Sequence, residues 1–387
     1  MPPAGYPAGG SQPGAGAPGP QAAWTPPPRP GLIPLRPLDL GTILGASFRV
    51  LRRNPKPTFG VALLVQGASS VLALVLLAVV SFAALSRLNS TTTADSGVIT
   101  AGSIAAIVLT TLASVLFSLA ATALLQGIIV LEVSRASLGE KLRLRQLWRK
   151  ARGRLAVLIG WSLLVSGAVL VAISLLAMLI IVLVTTMGVV GIAIGVLLGI
   201  VGGLAALALG VWIGTKVSLV PSALMIERLT LRQAIARSWT LTHGAFWKTF
   251  GIQFLVAAMI SIALQVISAP LSFLAPLLGF LLDPNGQGGT AVGLAIGVAL
   301  LATMVTVAFG ALGAVVQSAT TALIYLDLRI RKEGLDLELA RFVEARQSGA
   351  TNVPDPYLVG QAAGARAPGH RARPPEPIPP TNQSPWT

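Results

Sequence analysis

The chain has 387 residues, of which 54% are hydrophobic and 11% charged, and it contains no cysteine. Soluble domains carry about 25% charged residues, so this composition excludes an ordinary soluble enzyme or binding domain. The lack of cysteine excludes disulfides, thiol catalysis and cysteine-bound metals. In a soluble protein the net charge of +15 would suggest nucleic acid. Here the basic residues flank long apolar runs, which favours anionic lipid headgroups and not nucleic acid as the partner.

The two ends of the chain differ in composition from its middle. The first 31 residues are rich in Pro, Gly and Ala and contain no apolar segment like that of a secretory signal. We predict a disordered tail at residues 1–31 and a second, Pro-rich one at residues 347–387. The membrane domain is predicted between them, at residues 32–346.

Six nearly uncharged runs occupy the middle of the chain. A helix of roughly 20 apolar residues crosses a bilayer core about 30 Å thick, and a helix satisfies its own backbone in lipid. We therefore predict an all-α polytopic membrane protein with about six transmembrane helices in three hairpins. The predicted spans are residues 58–85, 104–131, 155–185, 188–212, 250–282 and 291–326.

The basic residues predict the orientation of these spans. Four segments, residues 31–57, 131–154, 226–248 and 327–347, hold 22 of the 28 Lys and Arg residues. The loops between the other span ends carry only Arg87. By the positive-inside rule, both termini and the long connections are cytoplasmic. We expect a multi-pass protein of a bacterial plasma membrane.

The sequence also indicates a threefold repeat. Similar Leu-rich openings occur at residues 38–44, 142–148 and 229–235, and an acid closes each hairpin, at Glu132, Glu227 and Asp327. Each opening has the spacing of an amphipathic helix. Asp39 and Thr230 are expected to be N-caps. Such helices are predicted to lie in the cytoplasmic interface, with their apolar faces toward the acyl chains.

Lys216 is the basic residue embedded in the apolar stretch from residue 188 to 226. Its charge either snorkels to water or pairs with Glu132, Glu227 or Asp327, or it binds an anionic headgroup or substrate. The connecting helices add further candidate contacts for anionic headgroups. These are Arg143, Arg145, Arg149, Lys150, Arg232 and Arg237.

Four glycines spaced by four residues occur in the fourth predicted span. They are Gly191, Gly195, Gly199 and Gly203. This spacing places them along one side of a helix, where another backbone can approach closely. The seam either packs within the chain or forms a homodimer contact or a moving interface, so the oligomeric state stays open.

The sequence contains no recognisable catalytic machinery. It has two histidines, His243 and His370, which cannot form a metal cluster, and it lacks both a phosphate-binding loop and a nucleophile elbow. We predict no catalytic residue, metal or cofactor. The first hypothesis is a non-enzymatic lipid-interacting or scaffolding protein with a membrane or cytoplasmic protein partner. The alternatives are a transporter or lipid-handling permease with a pathway between the hairpins, and a membrane enzyme built on Glu132, Glu227 and Asp327.

Three motifs carry a family resemblance. Residues 38–55, with Arg52-Arg53-Asn54-Pro55, residues 218–242 and residues 325–337 resemble segments of the membrane domain of glycerophosphoryl diester phosphodiesterases and related actinobacterial multi-span proteins. The resemblance covers about residues 36–340. Enzymes of that family carry a soluble catalytic barrel, which this sequence lacks. The resemblance therefore implies the membrane part without the enzyme, and no catalytic residue is carried over.

Overall fold

The computed structural model describes residues 37–88, 96–282, 289–350 and 353–358. Its helices are α1 (Leu40–Arg53), α2 (Val61–Leu88), α3 (Ser96–Ser137), α4 (Leu144–Val217), α5 (Val220–Ile226), α6 (Leu231–Thr242), α7 (Phe246–Leu282), α8 (Gly289–Glu333) and α9 (Leu335–Gln347). A π-helical turn, Lys56–Gly60, leads directly into α2. Five helical stretches are long and apolar enough to cross a membrane, so the predicted all-α polytopic membrane fold is confirmed. The tail predicted at residues 1–31 lies outside the described residues.

The helix α4 folds back on itself. With 74 residues it would be about 110 Å long if straight, far more than a bilayer needs. Gly188 interrupts it with φ 56° and ψ −127°, a conformation that suits glycine. Beyond this point Gly195 packs against Ile180 and Gly202 against Leu176. The two legs of α4 therefore form a hairpin of their own, which comes between the α2–α3 and α7–α8 pairs in chain order and brings the apolar legs among the described residues to six.

The hydrophobic core lies at one end of the three hairpins. It contains the C-terminal part of α3, the start of α4, all of α5 and the C-terminal part of α8. This end also carries α1, α6 and α9, and we call it the basic end. The legs beyond it expose large apolar side chains, such as Phe82 and Val189. Lipid is the solvent in which such exposure is stable.

The helix α1 packs on α8. Asp39 caps α1, since its Oδ1 accepts a hydrogen bond of 3.0 Å from the amide of Thr42, as predicted. The buried face of α1 includes Ser47, whose hydroxyl lies 3.0 Å from that of Thr320 on α8. Part of the face that was predicted to enter the acyl boundary is thus covered by α8, whereas Leu40 at its beginning stays exposed.

The starts of α4 and α6 are only partly covered. Leu147 and Ala151 are buried in α4, and Ala234 and Ser238 are buried in α6. On the same helices Leu144, Trp148 and Trp239 stay exposed. The apolar residues of these two helices therefore form two groups: one packs on the core and the other faces outward.

The second and third repeat openings have the same helix start. The backbone N–H of Arg143 donates to Gln146 Oε1 at 3.1 Å, and that of Thr230 donates to Gln233 Oε1 at 3.1 Å. Each glutamine lies three residues after the N-cap, as in a capping box. The predicted N-cap at Thr230 is confirmed, and the equivalent pair at Arg143 supports the repeat.

Candidate functional site at the basic end of the helices

The three acids that close the hairpins are buried at the basic end. Glu132, Glu227 and Asp327 are exposed by only 1%, 3% and 1%. A buried carboxylate is costly unless charges or hydrogen bonds compensate it. The partners of each acid therefore indicate what holds this end together.

Asp327 joins α8 to the residues that precede α1. Its Oδ1 accepts a 2.7 Å hydrogen bond from the amide of Leu38. Lys248 of α7 and Arg331 of α8 both form ion pairs with the same carboxylate. Arg331 also donates to the carbonyl of Leu38 at 2.9 Å. One carboxylate thus fixes the beginning of α1 against the last two long helices.

Glu227 belongs to a network of alternating charges. Arg237 of α6 donates to both of its oxygens, at 3.0 to 3.1 Å, and the Tyr325 hydroxyl donates to it as well. Arg329 lies 3.3 Å from Glu227 and 3.0 Å from Glu333, which also pairs with Arg237 at 2.6 Å. Burial lowers the pKa of Arg237, but hydrogen bonds to Glu333 and Glu227 outweigh this and raise it above its ordinary value. The two acids and two bases neutralise each other.

An open cleft of about 550 Å³ borders this network, between α6, α8 and α9. Its charged lining comprises Glu227, Arg237, Arg329, Glu333 and Glu338. Three carboxylates against two guanidinium groups leave the cleft without excess positive charge. The cleft therefore does not favour an anionic headgroup.

Glu132 has fewer hydrogen-bond and ion-pair partners than the other two acids. The Asn54 amide donates to Glu132 Oε1 at 3.1 Å and to the carbonyl of Leu142 at 3.0 Å. The other oxygen, Oε2, is buried without a hydrogen-bond partner among the described residues. Each of the three acids therefore has its own set of partners at the basic end.

The repeat openings share a further contact. The first leucine of each opening has a carbonyl oxygen that accepts a hydrogen bond from a long polar side chain. The pairs are Arg331 to Leu38 at 2.9 Å, Asn54 to Leu142 at 3.0 Å and Arg154 to Leu229 at 2.6 Å. Different residue types thus do the same work in the three units, which sequence comparison of the units does not reveal.

Lys216 is buried at the end of α4, with 7% of its surface exposed. Its ammonium lies 5.3 Å from the ring centroid of Trp239, and that ring packs edge-on against Trp212. The acids Glu132, Glu227 and Asp327, predicted as alternative partners, have the other partners described above. An aromatic face attracts a cation and compensates part of its lost hydration.

The candidate headgroup contacts divide into two groups. Five of them are exposed, namely Arg143, Arg145, Arg149, Lys150 and Arg232. The sixth, Arg237, is partly buried between two carboxylates. The exposed group lies beside the exposed rings of Trp148 and Trp239. Tryptophan at this position is typical of a membrane–water interface.

The glycine seam faces the other leg of its own hairpin. A methyl group added at Gly191 would overlap the Leu183 carbonyl, and one at Gly199 would touch Ile180. Gly195 belongs to the same contact, whereas a methyl group at Gly203 would meet nothing within 4 Å. Three of the four predicted glycines therefore pack within the chain.

Residues 353–358 depart from the predicted tail at 347–387, because they pack on α3. Tyr357 is 1% exposed, and its hydroxyl donates to the carbonyl of Ser134 at 2.7 Å. Asp355 forms an ion pair with Arg135. Burial raises the pKa of Tyr357, so it remains a donor. The one usable sequence signal was an isolated aromatic residue within a Pro-rich stretch.

Within the described part of the chain, no group of three or more His, Asp or Glu side chains lies together as a metal site would require. No family model, curated protein or solved structure matches the chain. The resemblance to the phosphodiesterase membrane domain therefore stays a prediction. What the chain shows by itself is an integral membrane protein with a packed, charge-paired basic end.

Proposed function

We propose that this protein is a non-enzymatic integral membrane protein that binds anionic lipid headgroups through its basic end and presents that end as a scaffold. The observation that carries the proposal is the pairing of exposed cations with exposed tryptophans on α4 and α6. Arg145, Arg149 and Arg232 lie beside Trp148 and Trp239 on helices whose other sides are buried. A cation near an anionic leaflet contributes about 1 kcal/mol, or a factor of about five in binding. This placement is also what a plasma-membrane protein with a cytoplasmic basic end would need.

The paired charges support a scaffold and not an enzyme. Glu227 and Asp327 are held by arginine, lysine and tyrosine side chains. Such ion pairs fix the carboxylates in place, whereas a general acid or base must be able to reach and exchange a proton with a substrate.

Tryptophan quenching by brominated lipids in vesicles tests the headgroup proposal on the whole protein. We expect stronger quenching by brominated phosphatidylglycerol than by brominated phosphatidylcholine, with the preference falling as salt screens the charges. Replacing Arg145, Arg149 and Arg232 together by Gln is expected to remove the preference. Replacing the same three by Lys keeps the charge and is expected to retain it. An unchanged preference in the Gln variant would refute the proposal.

A second candidate function, lipid handling between the hairpins, rests on a different observation. A groove of about 230 Å³ between α2 and α8 is lined by Gln66, Ser70, Thr303 and Thr306. Polar side chains at a lipid-facing groove can bind a headgroup that moves between leaflets. Loss of lipid scrambling on replacing Gln66 and Thr306 by Leu and Val would support it, and unchanged or absent scrambling would refute it.

A further inference from the structure

Four basic side chains meet beneath the packed C-terminal segment. Arg135 of α3, Lys150 and Arg154 of α4, and Arg228 in the turn after α5 line one small enclosed cavity. Tyr357 also lines it, on the side of residues 353–358. Four parts of the chain therefore converge on a single cationic cavity, which we call the basic pocket.

The basic pocket has more positive than negative charge. Asp355 pairs with Arg135, while Lys150 experiences the repulsion of both Arg135 and Arg228. The neighbouring acid Glu140 is itself paired with Arg346. Four cations against one contacting carboxylate leave an excess of three positive charges. Like charges repel each other, and solvent screens this repulsion only in part because Arg135 and Arg154 are partly buried, so a bound anion would stabilise the arrangement.

The guanidinium groups of Arg154 and Arg135 also make few hydrogen bonds. Arg154 donates to the carbonyl of Leu229 at 2.6 Å, and Arg135 binds Asp355 through one terminal nitrogen. The Nε of Arg135 is buried without a hydrogen-bond partner among the described residues. Guanidinium groups with free donors are the usual partners of phosphate oxygens, which they bind with two parallel hydrogen bonds.

We propose that the basic pocket binds a phosphate group and that Asp355 occupies part of this site when no ligand is present. In the structure the enclosed space is about 10 Å³, which suffices for about one water molecule. A phosphate group therefore enters only if residues 353–358 leave. Ligand binding and release of this segment are two sides of one equilibrium. The inference goes beyond the proposed function and uses none of the side chains tested there.

The phosphate has two chemical sources, a lipid headgroup with a terminal phosphate or free inorganic phosphate. The basic pocket lies at the basic end, next to the first turns of α4, where a headgroup would reach it. Short-chain phosphatidic acid and inorganic phosphate therefore serve as separate probes. A lipid source predicts that phosphatidic acid binds much more tightly than inorganic phosphate, and a free source predicts the reverse.

Arg228 offers a variant that does not endanger folding. Its φ is 56°, in the left-handed region that costs a residue with a side chain about 1 kcal/mol or more and costs glycine little. The change Arg228→Gly removes one cation from the pocket and relieves this strain. A loss of phosphate binding in this variant thus cannot be attributed to an unfolded protein.

Titration calorimetry of the full chain in neutral detergent tests the proposal with both probes. Asp355→Asn frees Arg135 and is expected to strengthen binding of the preferred probe about tenfold, because less of the protein is in the closed state. Arg228→Gly is expected to weaken it about tenfold. Glu344→Gln, an exposed change on α9, serves as the control without effect. If neither probe binds to the Asp355→Asn variant, or if Arg228→Gly binds like the unaltered chain, the proposal is wrong.

Movement of the segment is measured separately. The chain has no cysteine, so Lys141→Cys and Pro354→Cys, both at exposed positions, place spin labels on each side of the contact without background. Addition of the probe that binds is expected to lengthen the distance between the labels. Binding with an unchanged distance would overturn the role of Asp355 as the internal occupant. The brominated-lipid experiment reports on the exposed cations, so the two proposals can fail independently.

Discussion

The backbone amide of Leu38 donates a 2.7 Å hydrogen bond to the buried carboxylate of Asp327, 289 residues further along the chain. Leu38 opens the first repeat and Asp327 closes the third. A hydrogen bond to a charged acceptor is among the stronger ones in proteins. The three hairpins are thereby closed into one body at the basic end, and the stability of that body should depend on this carboxylate.

Replacing Asp327 by Ala is expected to lower the free energy of unfolding by about 2 to 3 kcal/mol. Removal of one member of a buried pair leaves its partners uncompensated, although the partial exposure of Lys248 and Arg331 reduces the loss. Asp327→Asn is expected to cost less, because its amide oxygen still accepts from Leu38. Unfolding in mixed detergent micelles measures both, with exposed Glu344→Ala as control. Equal stability of Asp327→Ala and the control would contradict this.

Two glycines of the same seam are expected to respond in opposite ways to alanine. Gly191→Ala introduces a methyl group that overlaps the Leu183 carbonyl, whereas at Gly203 a methyl group meets nothing within 4 Å. The first change should separate the legs of α4 and destabilise the protein by about 1 to 3 kcal/mol. The second should be neutral or stabilise the helix by up to about 1 kcal/mol. Thermal unfolding of the two variants side by side tests this, and an equal loss would point to a contact with a second copy.

The repeat predicts equal effects at equivalent helix starts. Gln146→Ala and Gln233→Ala each remove one acceptor for an N-cap amide, at 3.1 Å in both cases. Each is expected to lower stability by about 0.5 to 1 kcal/mol. Gln347→Ala, exposed at the end of α9, is the control. A cost at only one of the two starts would show that the units are not equivalent.

The variant Lys216→Met distinguishes the contribution of side-chain packing to stability from the contribution of the charge. Methionine keeps the length of the side chain against Trp239 but removes the buried cation, so we expect an unchanged or slightly higher unfolding temperature. A structural pair with a carboxylate would instead make the change strongly destabilising. The same variant in the brominated-lipid experiment shows whether Lys216 contributes to headgroup preference. A marked drop in stability would contradict a cation held mainly by the indole ring.

Much of the membrane fold could be predicted because span formation depends on one property, the length of an uncharged run. The break at Gly188 falls at the boundary predicted between residues 185 and 188, although helix continues directly on both sides of it. The far ends of α3 and α8 were missed. They extend past the apolar runs to Ser137 and Glu333, because protein contacts replace lipid contacts there.

The partners at the basic end were beyond sequence reasoning for a physical reason. The sequence marked Glu227 as a closing acid, but its contact with Arg237 depends on how α5 and α6 turn. Asp355 and Tyr357 lie in Pro-rich sequence, whose average composition predicts disorder. These two side chains suffice to hold the segment on α3. A prediction from average composition cannot detect the contribution of two individual residues.

The concentration of packing at the basic end has a consequence for bilayers of different thickness. Away from the basic end the legs expose large apolar side chains, such as Phe82 and Val189, so the legs can tilt or spread there at lower cost. A thinner or thicker bilayer should therefore be accommodated at the far ends. The hydrogen bonds of Leu38 and the ion pairs of Glu227 would keep their geometry, and the basic end would present the same surface in membranes of different composition.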